Sequence, residues 1–131
     1  MMSGSKVVRT LQMPTGMSDL IQFALEPLQL SEFIIAEDVL TYRLRYENGQ
    51  LLTLVILFVE ERHMLLFFKA VISFAIVDMD DEGRNRATYL RRSIERPSGP
   101  NDMEFCTRLV AQVAAMKRAV ADDLGAGERL G

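Results

Sequence analysis

Residues 51–77 read LLTLVILFVEERHMLLFFKAVISFAIV, and the interpretation of this stretch decides the fold. It is almost entirely apolar, with Glu60-Glu61-Arg62-His63 as its one sizeable interruption. A membrane helix needs about 20 consecutive apolar residues. The runs Leu51–Val59 and Met64–Val77 each fall short of that, and Lys69 and Ser73 break the second. A helix from Glu61 to Ser73 is a possible alternative, because Arg62, Lys69 and Ser73 share one helical face. The β-branched and aromatic content favours strands instead. The stretch therefore predicts the centre of an antiparallel sheet, with Glu60–His63 as a turn and a further strand from Met64.

The flanks support a sheet. In LTYRLRYENGQ, Leu40, Tyr42, Leu44 and Tyr46 alternate with Thr41, Arg43, Arg45 and Glu47. A period of two marks a strand with one wet face. Asn48-Gly49 supplies the positive φ angles of a hairpin turn, so Leu51–Val59 must return antiparallel. That return strand does not alternate, and cover on both of its faces is expected. FAIVDMDDEGRNRATYL reads as another strand, an acidic turn closed by Gly83 and a returning segment. Residues 86–94 fit either a strand or a short amphipathic helix. Pro97, Gly99 and Pro100 end that segment.

Helices are predicted at both ends. Ser18 suits an N-cap, and Leu20, Ile21, Ala24, Leu25 and Leu28 recur at helical spacing behind it. Pro27 should end this helix near Glu26. Asn101 and Glu104 match a capping box. Beyond them Met103, Cys106, Leu109, Val110, Val113, Met116, Lys117, Val120 and Leu124 form one stripe, apolar except for Lys117. The expected fold is thus α+β: an N-terminal helix, a meander of about five strands, and a long amphipathic C-terminal helix packed on the sheet. Residues 1–17 are expected to be a flexible arm, 18–124 a single domain, and 125–131 a flexible tail after Gly125 and Gly127.

Composition narrows the function. The 131 residues suit one hydrophobic core. A net charge of −3 disfavours general binding to nucleic acid. The single cysteine, Cys106, excludes an internal disulfide and makes a reducing, cytoplasmic compartment the expectation. No apolar segment follows the basic residues of the N-terminus in the manner of a signal peptide.

Candidate chemistry is sparse. Asp78–Gly83 echoes the first half of a calcium loop. However, counting from Asp78 places Tyr89 at the twelfth position, where a bidentate glutamate belongs, so a solvated turn is the better reading. A catalytic His63 would need a nucleophile or carboxylate placed for it; Cys106 could meet it only through the fold, nothing local suggests a Cys–His site, and Cys106 sits on the apolar stripe. Arg84, Arg86, Arg91, Arg92 and Arg96 form a basic run without a glycine-rich phosphate loop, and read as a solvated face or as partners for acids. No cofactor or metal is called for.

The order of elements resembles the fold of type III secretion chaperones and the related YbjN-like bacterial proteins. The resemblance rests on DLIQFALEPLQL as the first helix, on residues 37–71 as three meandering strands, on the hairpin around Gly83 and on DMEFCTRLVAQVAAMKRAVADDL as the closing helix. Those families carry a helix between the third strand and the later hairpin. Here either residues 64–73 are that helix or the element is absent.

The resemblance implies a non-enzymatic, homodimeric protein that holds an extended segment of a partner protein on an apolar surface. On this reading Tyr42, Leu44, Tyr46, Leu54, Ile56 and Phe58 are the expected partner-binding residues. Val71, Phe74 and Ile76 are the expected dimer contact. The alternatives are a small-ligand protein or enzyme with a pocket between sheet and C-terminal helix, and a structural assembly subunit.

Overall fold

The computed structural model describes residues 6–14, 16–36, 38–63, 68–96 and 102–130. The elements in chain order are β1 (Lys6–Thr10), α1 (Met17–Leu25), a 3₁₀ turn (Glu26–Leu28), β2 (Ser31–Ile35), β3 (Val39–Arg45), β4 (Leu51–His63), β5 (Phe68–Met79), β6 (Asn85–Glu95) and α2 (Asp102–Leu130). Five strands form an antiparallel meander in the order β2-β3-β4-β5-β6. β1 joins it by pairing with the far half of β4, from Lys6 opposite His63 to Thr10 opposite Val59. The α+β architecture expected from the sequence is the one observed.

Both helices lie on one face of the sheet. Leu40, Tyr42 and Leu44 of β3, Leu52, Leu54, Ile56 and Phe58 of β4, and Ile72, Phe74 and Ile76 of β5 point into the core. They meet Met17, Ile21 and Leu25 of α1 and Phe105, Cys106, Leu109, Val113, Met116 and Val120 of α2. The period-two spacing of one set and the helical spacing of the other bring two apolar surfaces together. Met103 departs from the expected stripe: it is 64% exposed, and its place is taken by the buried Phe105.

Several expectations are corrected. Lys6–Thr10, assigned to a flexible arm, is a paired strand. Residues 125–130, assigned to a tail, belong to α2. α1 is capped by Gly16, whose φ is 86°, and Ser18 lies inside the helix. The helix does end at Leu25, where Pro27 turns the chain into a 3₁₀ turn. The capping box at Asn101 falls outside the described residues.

Glu60–His63 is strand and not a turn. Glu60 stands opposite Arg9, and Glu61 opposite Lys69, so each acid has a basic cross-strand neighbour. The strands expected from Met64 and around Phe74 are a single element over Phe68–Met79, which excludes a helix there; residues 64–67 lie outside the described residues. Residues 86–94 are strand, within β6.

The two tight hairpins share one construction. In the first, the Tyr46 amide donates to the Gln50 carbonyl at 3.0 Å and the Gly49 amide to the Tyr46 carbonyl at 2.9 Å. In the second, Asp80 and Arg84 pair at 3.0 Å and the Gly83 amide donates to the Asp80 carbonyl at 3.0 Å. Each is a three-residue loop with glycine in the left-handed region, φ 88° at Gly49 and 82° at Gly83. Asn48 does not share the positive φ expected of it. Its side-chain oxygen instead accepts the Gln50 amide at 2.9 Å.

β4 was expected to be covered on both faces, yet helices cover only one. On the other face Thr53, Val55 and Leu57 are half-buried and Leu51 is exposed.

Candidate functional site

The six residues expected to bind a partner all belong to the core. Tyr42, Leu44, Tyr46, Leu54, Ile56 and Phe58 are each 7% exposed or less, beneath the helices. The alternation that marks a strand's apolar face marks the face that α1 and α2 cover, so no anchor surface exists there. Burial pushes the Tyr46 phenol up to about 12 and raises that of Tyr42. The expected dimer contact also divides: Phe74 and Ile76 point into the core, whereas Val71, one residue out of phase, lies on the opposite face.

Exposed large apolar side chains occur elsewhere. Phe23 is 69% exposed, Ile34 70% and Ile35 51%. Ile34 and Ile35 belong to β2, which pairs with β3 on one side and forms an outer edge of the sheet. β2 itself is irregular, with a bulge between Ser31 and Phe33. A hollow of about 460 Å³ lies on the helix side of this edge, lined by Phe23, Leu25, Leu30 and Tyr42. A larger open hollow of about 910 Å³ lies on the other side, lined in part by Ile34, Val39, Thr41, Leu51 and Met79. An edge strand presents unpaired backbone donors and acceptors, and a strand added to it sends alternate side chains to the two faces. The helix-side hollow is largely apolar, whereas the other is lined also by Arg43, Arg86, Asp78, Asp80, Asp81 and Glu82.

The opposite edge has a different character. β6 carries Arg86, Arg91 and Arg92 as exposed residues, and charged side chains discourage strand addition. Part of the basic run is engaged locally. Arg84 pairs with Asp80 and Glu82, and Arg86 with Asp78 at 2.8 Å. Arg96 lies over the Phe58 ring at 5.9 Å.

The acidic turn serves itself. Oδ1 of Asp80 accepts the amides of Glu82 and Arg84, and Oδ2 accepts Nε of Arg84. The Arg84 backbone amide foremost, helped by its side chain, the Glu82 amide and nearby Arg86, holds the Asp80 carboxyl below its usual range. Among the described residues no group of three or more His, Cys, Asp or Glu is arranged to hold a metal ion. Cys106 is buried under the sheet, where burial and then the charge of Asp102 raise its thiol pKa, opposite to what an activated nucleophile needs. His63 ends β4. An open concavity of about 810 Å³ between the β3–β4 hairpin and α2, lined by Arg45, Tyr46, Lys117, Arg118 and Asp122, brings no nucleophile and base together.

Sequence reasoning missed Phe23, Ile34 and Ile35. Phe23 lies off the apolar stripe of α1, which was the sign of its exposure. The triplet Phe33-Ile34-Ile35 between acids at 32 and 37–38 was a short strand signal. No described helix is long and apolar enough to cross a membrane. Comparison with protein-family models, with curated proteins and with solved structures found no match.

Proposed function

We infer that this protein is a non-enzymatic protein-binding module that takes an extended segment of a partner as an added strand on the free edge of β2. The observation that carries this reading is that β2, an outer strand, leaves Ile34 and Ile35 more than half exposed, with a hollow on each of its sides. Main-chain hydrogen bonds would supply affinity, and the helix-side hollow, lined by Phe23, Leu25 and Leu30, would take an apolar side chain. The resemblance to secretion chaperones and YbjN-like proteins, which implies capture of an extended segment, points the same way. The surface differs from the one that resemblance first suggested.

The test is affinity capture from the native cell followed by mass spectrometry, with wild type beside Ile34→Lys and Ile35→Lys. Both side chains are exposed, so folding should be unaffected. A partner captured by wild type and lost from both variants supports the reading. Identical captured sets from all three proteins would overturn it.

A further inference from the structure

We propose that the concavity between the β3–β4 hairpin and α2 binds a carboxylate carried on an apolar body, such as a medium-chain fatty acid, with Lys117 and the Tyr46 hydroxyl holding its head. This goes beyond strand addition, since none of the residues lining the concavity belongs to β2.

Two groups without partners meet there. Tyr46 follows Tyr42 and Leu44 onto the side of the sheet that α2 covers, is only 7% exposed, and lines the concavity. Its hydroxyl is buried with no hydrogen-bond partner among the described residues. A buried hydroxyl left unpaired costs stability that a phenylalanine would not forfeit, so its presence calls for an explanation, and a ligand that accepts its proton is one. Lys117 is the second group. It is the charged member of the α2 stripe, half-buried beside the core residues Val113, Met116 and Val120. It makes no ion pair or hydrogen bond among the described residues, although Glu47 and Asp122 line the same concavity.

Together they select a carboxylate. The ammonium of Lys117 brings only donors and Tyr46 has one hydroxyl proton to give, and the two oxygens of a carboxylate can accept one bond from each. Arg118 on α2 and Arg45 on the hairpin side also line the concavity, so three cations stand against two acids and an anion is favoured over a cation. Leu28 and Leu124 supply apolar walls for the body of the ligand, and the short side chains of Ala114 and Ala121 leave room between them. At about 810 Å³ the concavity falls within the roughly 300–1,000 Å³ of small-molecule sites.

Titration of the full chain with sodium decanoate, followed by amide chemical shifts, tests this. Saturable shifts should centre on Tyr46, Lys117 and Ala121, with a Kd of ~1 mM or tighter. Decanol, which keeps the apolar body and loses the charge, should bind ~10-fold more weakly or worse. Lys117→Gln and Tyr46→Phe should each weaken decanoate binding ~10-fold or more, with thermal melts close to wild type. Lys117→Arg, which keeps the charge, should stay within ~3-fold of wild type. Decanoate that does not saturate by ~10 mM overturns the proposal. So does decanol binding as tightly as decanoate, or wild-type affinity in both Lys117→Gln and Tyr46→Phe. Shifts centred on Ile34 and Ile35 overturn it too, because they would place decanoate on the β2 edge. Ile34→Lys should leave decanoate binding unchanged, so this site and strand addition fail independently.

Discussion

Arg9 donates from Nε to Oε2 of Glu60 at 2.7 Å, and the two residues stand directly opposite one another on β1 and β4. The contact marks where β1 takes over from β3 along one edge of β4. β3 pairs with Leu51–Leu57, and β1 with Val59–His63.

The Arg9 side chain is 71% exposed, so the ion pair itself contributes little. Arg9→Ala should cost less than about 1 kcal/mol in urea denaturation. Deleting residues 1–10 should cost clearly more and should release the amides of Glu60 and Arg62, which face β1, to hydrogen exchange, because it strips the strand from that edge. Equal effects of the two changes would show that β1 adds nothing beyond the ion pair.

The hairpin glycines have a conformational role alone. A Cβ at Gly49 or Gly83 would meet nothing within 4 Å, so an alanine there pays for its left-handed backbone without a clash. Gly49→Ala and Gly83→Ala should each destabilise by about 1–2 kcal/mol in thermal melts. Asparagine, which tolerates this region better, should recover part of the loss.

Tyr46 predicts a dependence on alkaline pH. Its folded pKa is raised to about 12 from an ordinary 10. The neutral phenol is favoured in the fold, so this contribution is fully present below pH 10 and is lost as pH rises toward 12. The loss should reach about 2–3 kcal/mol, with Tyr42 adding in the same direction. The Tyr46 hydroxyl is buried without a hydrogen-bond partner among the described residues. Tyr46→Phe should therefore leave stability at pH 8 unchanged or slightly higher and flatten the alkaline limb. Denaturation curves across pH 8–12 check both outcomes.

Two residues predicted for one stripe of α2 should separate by mutation. Leu109 is fully buried and Met103 is 64% exposed. Leu109→Ala should cost about 2–5 kcal/mol through the cavity it leaves. Met103→Ala should stay within about 0.5 kcal/mol. Comparable losses would place Met103 in the core after all.

Local sequence was sufficient for the strand at Leu40–Tyr46, the glycine turns and the long apolar face of α2. Each depends on a period or a backbone preference that acts within a few residues. It also determined that the chain could form a sheet with helices at its two ends.

Which side of that sheet the helices would cover was decided only by tertiary structure. The aromatics expected to anchor a partner are the ones that α1 and α2 bury, because a helix stripe seeks the largest apolar area. Val71 and Phe74 looked alike in the sequence and were separated by the pleat. Glu60 and Glu61 read as a turn because, with Arg62 and His63, they are four polar residues in a row inside an apolar run. Arg9 and Lys69, brought alongside by strand pairing, offset the charge of the two acids and let β4 run on to His63. The exposed edge at Ile34 and Ile35 arose in the same way. An edge is a property of the assembled sheet, and no stretch of sequence carries it alone.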